Sequence, residues 1–340
     1  MMNYREKRET GNPFRQEYLD SVNRLLDKKL KEAQEKRREF DKELLADPEG
    51  ARKKFKETVG WPLTQERGDI PTVKMVHVVT DGEIDIYRVQ IEVFEDFQYY
   101  GLLFRRNDGK KRPFVISQHG GLGTPEVCST LLEGETSYNY NDMTQRILQY
   151  DVNVFAPQML LWSIEEYGID YNREYIDSVL RLFGGSIAAL ELYCLQRTLD
   201  YFEAQEYVDE DRIGMIGLSY GGMYTLYMTA IDKRIKTSVS SSFFCDRAND
   251  HERNDWKYKG MAYSFFDAEV AMLVRPRKIY IAMGADDPLF DSSKSITEFE
   301  EIKTACPDWN DWTELQIFEG EHEFCPDDKF LKKFMEDMGL

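Results

Sequence analysis

A serine between two glycines, in the run RIGMIGLSYGG at residues 212–222, has the spacing of a serine nucleophile. The apolar residues 213–216 before it predict a strand, and the residues after it predict a helix. In this context the pattern Gly-x-Ser-x-Gly presents its serine on a sharp turn, where neighbours without a β-carbon avoid the adjoining strand and helix. The five-residue pattern also arises by chance, so the prediction that Ser219 is a nucleophile depends on the elements around it.

A serine hydroxyl becomes nucleophilic at neutral pH when a base, usually a histidine oriented by a carboxylate, lies within hydrogen-bond reach. The chain has four histidines, which limits the choice. We interpret His77 as structural because it lies on an alternating strand ahead of the main sheet, and His251 as surface-exposed because its loop is highly charged. For His119, within His-Gly-Gly, we expect the backbone to matter more than the ring. His322 follows the last predicted strand, where sheets of this kind place reactive groups, so we predict His322 as the base.

The orienting carboxylate is expected between the serine and the histidine in chain order. The run GADDPLF at residues 284–290 follows a predicted strand and offers Asp286 and Asp287. Pro288 fixes the backbone immediately after Asp287 and makes that turn rigid. We therefore predict Asp287 as the third member of a catalytic triad, with Asp286 as the alternative.

Backbone N–H groups are needed to stabilise the oxyanion that forms when a serine attacks an ester. The residue after the nucleophile, Tyr220, is predicted to supply one of them. Gly121, in the glycine-rich run after residues 113–117, is predicted to supply the other, with Leu122 as the next choice. A plain glycine-rich turn is the alternative, whereas a phosphate-binding loop is disfavoured because neither G-x-G-x-x-G nor G-K-[ST] is complete.

Short apolar strands that alternate with helices must position these residues, and they predict an α/β fold with a mainly parallel sheet covered on both faces. Three alternating segments within residues 72–104 predict antiparallel strands ahead of it. Further strands are predicted at residues 113–117, 152–156, 213–216, 236–240, 278–283 and 314–318. Helices are predicted at residues 143–150, 222–230, 295–304 and 329–338, with one long helix at 177–206.

The first part of the chain has a different pattern, with apolar residues three and four apart over residues 13–55 among many charged ones. This spacing predicts a helix, which residues 47–50 interrupt before a second short helix ends near Val59. We therefore predict an N-terminal helical arm at residues 1–62 and a catalytic domain at residues 63–340. The arm could pack on the catalytic domain of its own chain or join two chains in a homo-oligomer.

The formal net charge of -18 and the pI near 4.8 disfavour nucleic acid and anionic membranes as partners, since both require a cationic surface. No apolar run approaches membrane-spanning length, and the initial MMNYREKRET lacks the apolar region of a signal peptide, which predicts a cytoplasmic location. The five cysteines are odd in number and lack C-x-x-C spacing, so reduced thiols are expected. H-E-x-x-H is absent, and no metal site is predicted.

Two aromatic-rich loops, at residues 159–175 and 243–266, are predicted to wall the substrate pocket. Trp162 and Trp256 are the predicted substrate contacts. Aromatic walls suit sugar rings and aryl acids equally, so a small-molecule ester is expected without a choice between these classes.

Four motifs, SQHGGLGTPE, DEDRIGMIGLSYGG, GADDPLF and FEGEHEF, together make the chain resemble an α/β-hydrolase. It is similar in particular to bacterial esterases of the dienelactone hydrolase and acetyl xylan esterase group, from Ile84 to the carboxyl end. The resemblance implies an eight-stranded, mostly parallel sheet and a cofactor-free acyl-enzyme mechanism. Secreted carbohydrate esterases of this kind carry signal peptides, so an imported oligosaccharide or another small ester is expected rather than an extracellular polysaccharide.

The sequence thus predicts a serine hydrolase of carboxylic esters, with acetylated sugars as one substrate class. A serine peptidase of the prolyl oligopeptidase type would use the same triad on an amide, although the residues before the sheet are too few for a gating propeller. A non-catalytic binding scaffold on the same fold is the third alternative, and it would not require all three triad members.

Overall fold

Nine strands form one sheet in the computed structural model, which describes residues 2–61, 66–134, 137–163, 165–248 and 255–340, the side chains of 165 and 166 excepted. They are β1 Val73–Asp81, β2 Ile84–Phe94, β3 Phe97–Arg106, β4 Arg112–Gln118, β5 Asn153–Pro157, β6 Val208–Leu218, β7 Ile235–Ser241, β8 Lys278–Gly284 and β9 Thr313–Phe318. Their order across the sheet is β1-β2-β3-β5-β4-β6-β7-β8-β9. The pairs β1–β2, β2–β3 and β3–β5 are antiparallel, and the other neighbours are parallel. This confirms the predicted α/β fold with a mostly parallel sheet.

The described part of the sheet has nine strands, whereas the family resemblance implied eight. The additional strand lies at the edge, where β1 pairs with β2 and has no buried residue. The alternation of Val73, Met75 and His77 predicted this strand, so the residue pattern was more accurate than the count taken from the family.

Ten α-helices lie in the described ranges. They are α1 Asn12–Ala46, α2 Pro48–Val59, α3 Pro125–Cys128, α4 Met143–Leu148, α5 Arg173–Leu182, α6 Ile187–Phe202, α7 Tyr220–Ile231, α8 Asp267–Met272, α9 Ser292–Ala305 and α10 Lys329–Asp337. Side chains of α1, α2, α6, α7, α8 and α9 pack into one buried apolar cluster, and those of α3, α4 and α10 pack into a second. The sheet therefore has helices on both faces, as its continuous apolar strands require.

The prediction of one long helix at residues 177–206 is wrong, because α5 and α6 are separate helices that meet at an angle of 94°. Gly184 has φ +80°, a left-handed conformation that ends helices. Ser186 then begins α6, since its hydroxyl accepts a hydrogen bond from the Ala189 N–H. No single helix within the described ranges is long and apolar enough to span a bilayer, although this bent pair taken together meets the same length and composition test.

The predicted arm consists of α1 and α2, and its second half packs into the same core as the sheet. The Phe40 ring lies 5.0 Å from that of Phe265, and the Phe55 ring lies 5.0 Å from that of Tyr227 on α7. No residue of α1 from 12 to 32 is buried. The boundary predicted between residues 62 and 63 lies outside the described residues. Trp61, the last described residue before it, is buried, and its ring lies 5.4 Å from that of Tyr193.

Candidate active site

Ser219 occupies a sharp turn between β6 and α7, with φ 59° and ψ -121°. Positive φ is uncommon for a residue with a β-carbon and stores strain. A β-carbon at Gly217 would lie 2.2 Å from the Gly221 carbonyl oxygen, and one at Gly221 would lie 2.1 Å from the Gln118 carbonyl oxygen. The Ser219 N–H donates to the Ser241 carbonyl oxygen at 2.8 Å. The two glycines therefore permit the turn, and the neighbouring strand β7 holds it.

The imidazole of His322 is oriented by a buried carboxylate. Its Nδ1 lies 2.8 Å from Oδ2 of Asp287, whose side chain has no exposed surface, while the His322 side chain is 14% exposed. The other oxygen of Asp287 accepts the backbone N–H groups of Leu289 and Phe290 at 2.8 and 3.0 Å. Because a carboxylate only accepts, Nδ1 must donate, and Nε2 is left as an acceptor. Asp286 is exposed and makes no hydrogen bond to the imidazole, so the structure pairs His322 with the predicted carboxylate rather than with its alternative.

Ser219 and His322 line one cavity of about 350 Å³. Its remaining side chains are aromatic, apolar or amide groups, contributed by Leu122, Val127, Tyr138, Asn139, Tyr140, Trp162, Tyr167 and Leu289. Apart from the imidazole, the described residues that line this cavity carry no carboxylate, ammonium or guanidinium group. No hydrogen bond joins the Ser219 hydroxyl to His322 in the described part of the chain, and such contacts often close only around a substrate. The site therefore suits an uncharged ligand.

The glycine-rich loop after β4 lies directly against the serine turn. A β-carbon at Gly120 would lie 3.1 Å from that of Ser219, and one at Gly121 would lie 3.0 Å from the Tyr220 ring. The Gly120 N–H donates to the Tyr140 hydroxyl at 2.8 Å. Gly121 lines the cavity, and its N–H makes no hydrogen bond within the described residues. The loop therefore brings Gly121, one predicted oxyanion donor, next to Tyr220, the other predicted donor.

The ring of His119 fixes this loop, which the sequence analysis did not anticipate. Its Nδ1 donates to the Gly120 carbonyl oxygen at 2.7 Å, and its Nε2 accepts the Met159 N–H at 3.1 Å. Burial lowers the pKa of His119 to about 4, so the ring is neutral near pH 7. In a trans peptide the carbonyl and the following N–H point in opposite directions. The bond from His119 to the Gly120 carbonyl therefore turns the Gly121 N–H away from the ring.

Asparagine side chains hold the loop that carries His322, and no motif marked them in the sequence. The Asn139 side-chain amide donates to the His322 carbonyl oxygen at 3.0 Å, and the backbone carbonyl oxygen of Asn139 accepts the Phe324 N–H at 2.8 Å. Asn141 donates to the Phe324 carbonyl oxygen at 2.7 Å. On the other side, the Phe290 ring stacks on the imidazole with 5.7 Å between centroids. The position of the histidine thus depends on residues far from it in sequence.

A buried ionic cluster lies behind Tyr220. Arg173 at the start of α5 contacts Glu191 of α6 at 2.8 Å and Asp255 at 3.0 Å, and Tyr220 donates to both oxygens of Asp255 at 2.9 Å. Arg173 also donates to the Leu160 carbonyl oxygen at 2.9 Å, and Glu191 accepts the Leu160 N–H at 2.7 Å. The cluster therefore joins α7 to the segment before Trp162.

The two predicted substrate contacts have different surroundings. Trp162 is half-buried, lines the cavity and donates its backbone N–H to the Gly121 carbonyl oxygen at 2.8 Å. Trp256 is buried and does not line the cavity, because its ring packs against those of Tyr220 at 5.1 Å and Phe290 at 5.9 Å. The structure is thus at odds with substrate contact by Trp256, which instead supports two residues of the site from behind. His251 lies outside the described residues.

Comparisons with known proteins agree with this architecture. Residues 195–270, which include Ser219 but end before Asp287 and His322, match the model of the prolyl oligopeptidase family. A protein named “Putative hydrolase YtaP”, from Bacillus subtilis (strain 168), is 24% identical over 260 residues, which are 70% of this chain and 83% of that protein.

Solved structures resemble the chain at low sequence identity. A “putative acetyl xylan esterase” from Bacteroides fragilis NCTC 9343 gives a TM-score of 0.66 at 13% identity, over 82% of this chain and 76% of that one. A glucuronoyl esterase from Solibacter usitatus gives 0.64 at 15% identity, over 84% and 91%. Likeness at this level concerns the fold, and it agrees with the sheet order and the serine turn described above. The chain therefore shares the fold of these two esterases.

Proposed function

We propose that this protein is a serine hydrolase that cleaves carboxylic esters through an acyl-enzyme intermediate. The supporting observation is the strained turn that exposes Ser219 to the same cavity as an imidazole paired with buried Asp287. A serine on such a turn has no structural advantage over glycine, whose backbone adopts positive φ without strain. Retaining a hydroxyl there, opposite a histidine with a carboxylate behind it, is what acyl transfer requires.

The chemistry uses each group once in each half of the reaction. Ser219 Oγ attacks the acyl carbon while His322 Nε2 takes the hydroxyl proton, and the carbonyl oxygen becomes an oxyanion that accepts the N–H groups of Tyr220 and Gly121. The oxyanion collapses, the ester C–O bond breaks, and the alcohol leaves with the proton from His322. Water then attacks the acyl-enzyme with the same histidine as base, which releases the acid and restores Ser219. Asp287 stabilises the imidazolium in both halves.

The cavity favours small, uncharged acyl groups and alcohols with a flat apolar face. Tyr138, Trp162 and Tyr167 offer rings on which a sugar or aryl group can stack, and Asn139 offers an amide for a hydroxyl. The two structural neighbours compared above are named for esterases that act on carbohydrates. We therefore propose short-chain esters, with acetylated sugars as the first class to test.

The test measures hydrolysis of aryl esters from acetate to octanoate by wild type, Ser219→Ala and a matched carboxylate pair, Asp287→Asn and Asp286→Asn. Ser219→Ala should lower kcat by several orders of magnitude, because triad members act as a unit. Asp287→Asn should also lose most of kcat, whereas exposed Asp286→Asn should stay within a few fold of wild type. Equal, near-background rates in wild type and Ser219→Ala, together with no labelling of Ser219 by a fluorophosphonate, would refute the proposal and favour the scaffold alternative.

A peptidase is the second candidate, since the matched family model is that of the prolyl oligopeptidases. The same residues would attack an amide, and His322 would protonate the leaving amine. Catalytic efficiency on matched p-nitrophenyl esters and p-nitroanilides of one acyl group separates the two. A higher kcat/KM for the anilide would replace the esterase proposal by a peptidase.

A further inference from the structure

The first half of α1 extends away from the rest of the protein. It carries a stripe of apolar side chains that is mostly exposed. At 100° per residue, seven apolar side chains span roughly 160° of this helix: Phe14, Tyr18, Leu19, Val22, Leu25, Leu26 and Leu30. Six of them are exposed, from 40% at Leu30 to 80% at Phe14. The stripe continues the face that buries Ala33, Phe40 and Leu44 in the second half of the helix. Most helices in proteins gain their stability by covering such a face.

We propose that this stripe pairs with the same stripe of a second copy, with the two α1 helices antiparallel and crossing at Val22. A two-fold axis requires that residue i contacts j while j contacts i. Counted along the helix, the seven positions are symmetric about residue 22: Phe14 lies level with Leu30, Tyr18 with Leu26, Leu19 with Leu25, and Val22 with itself.

The charges favour this partner and this direction. Residues 12–32 carry five basic and four acidic side chains, so the segment is nearly neutral in a chain whose net charge is -18. The part before Val22 has a net charge of -1, and the part after it has a net charge of +2. The charged residues are Arg15, Glu17 and Asp20 before Val22, and Arg24, Asp27, Lys28, Lys29, Lys31 and Glu32 after it. An antiparallel pair therefore sets the acidic end of one helix beside the basic end of the other.

The antiparallel direction also keeps the two acidic catalytic domains apart. With the crossing at Val22, the two Leu30 residues are separated by 16 positions, or roughly 24 Å along the helices. This exceeds the screening length of about 8 Å at physiological ionic strength. A parallel pair would set the two bodies side by side.

The point where α1 meets the body offers a cavity for the end of the second helix. About 170 Å³ of space is lined by apolar Leu30, Ala33, Ala248, Ala262 and Phe266 and by polar Lys31, Gln34, Arg37 and Asp246. The register places Phe14 of the second copy opposite Leu30. An apolar cavity of about 150 Å³ accommodates benzene, so the volume of this space is sufficient for a phenyl ring.

The area is sufficient for a stable pair. Burying a large apolar side chain removes on the order of 100 Å², and these seven, already partly covered, amount to roughly 500 Å² of apolar surface per copy. A standard interface buries about 800 Å² per partner, of which about 65% is apolar in homodimers.

The test compares the mass in solution of wild type, Leu26→Lys and Asp27→Lys across a dilution series. Asp27→Lys changes the charge more but lies on the polar side of the helix, so it is the matched control. The wild type should have twice the chain mass of 40.0 kDa at high concentration. We expect Leu26→Lys to raise the dimer Kd by at least about 30-fold, as loss of a central interface residue does, and Asp27→Lys to leave it within a few fold. Leu26 is half exposed, so ester hydrolysis should be unaffected. A monomeric wild type at every concentration, or equal loss of dimer in both variants, would overturn the proposal.

Cross-linking tests the register. All five native cysteines are buried, so an introduced surface thiol is selective. Under a mild external oxidant, a mixture of Tyr18→Cys and Leu26→Cys proteins should give disulfide-linked pairs, one chain of each kind, because these positions face each other. Neither protein alone should do so. Self-linking of Leu26→Cys without linking in the mixture would show a parallel pair and refute the antiparallel one.

Discussion

The imidazole of His119 uses both ring nitrogens inside the protein, one on the Gly120 carbonyl oxygen and one on the Met159 N–H. A second proton on the ring would have to displace the Met159 N–H from Nε2. Burial and the hydrogen bond from Met159 therefore both favour the neutral ring. The loop that carries the proposed oxyanion donor Gly121 therefore depends on the protonation state of a residue that takes no part in the chemistry.

This arrangement makes stability depend on pH. The pKa of His119 falls from 6.5 to about 4 on folding, so the unfolded chain binds the proton more readily in that interval. The stabilisation is complete above pH 6.5 and is lost as the pH falls toward 4, by about 3 kcal/mol. His119→Gln should be less stable at pH 7 and should lose about 3 kcal/mol less than wild type over this interval. Urea denaturation at successive pH values measures the difference, and two parallel curves would contradict the argument.

At single positions, the sequence predicted those features of the site that depend only on neighbouring residues in the chain. The turn at Ser219 and the rigid bond after Asp287 are local features; the structure pairs Asp287 with His322 and places Ser219 in the lining of the same cavity as His322. Trp162 and Trp256 have equally aromatic surroundings in sequence, yet only the first lines the cavity. Exposure of a single side chain depends on distant residues such as Phe290, and no local pattern contains that information.

Among the elements, the boundary between α5 and α6 was missed for a similar reason. Apolar periodicity continues from Leu180 to Leu199, and a left-handed glycine with a serine cap interrupts it without changing the period. The break matters because it directs the start of α5 toward α7, the helix that follows Ser219. There Arg173 meets Glu191 and Asp255 and fixes two segments of the site.

Arg173→Met is therefore expected to lower the free energy of unfolding by about 3–5 kcal/mol, because it leaves two buried carboxylates without their cation. Arg38→Met is the control, since its ion pair with Glu301 is more than half exposed on the arginine side and should contribute about 1 kcal/mol or less. In the folded fraction of Arg173→Met, kcat for a short ester should fall as well, because the Asp255 partner of Tyr220 loses its own support. Chemical denaturation and initial rates measure the two effects, and an equal, small loss of stability in both variants would refute the role of the cluster.

For the whole molecule, the helical spacing of residues 13–55 predicted an arm but left its partner open. The structure explains why, since one continuous face of α1 packs on the body after Ala33 and is uncovered before Leu30. The apolar spacing is the same in both halves, so no sequence pattern separates contact within the chain from contact with another chain. The net charge of -18 does not distinguish the two kinds of contact either, because the uncovered segment at residues 12–32 is itself nearly neutral.

The second half of the arm is expected to be part of the stability of the catalytic domain. Phe55 is 1% exposed and contacts Tyr227 on α7, the helix that begins immediately after Ser219. Phe55→Ala should cost about 3–5 kcal/mol of unfolding free energy, through lost burial and the cavity it leaves. Phe183→Ala removes the same phenyl ring from a position that is 79% exposed. Its free energy of unfolding should stay within about 0.5 kcal/mol of that of wild type. A single cooperative transition with this difference, monitored together with esterase activity, would mean that the arm and the sheet unfold as one unit. Loss of activity well before the main transition in both proteins would instead mean that the arm folds independently of the site.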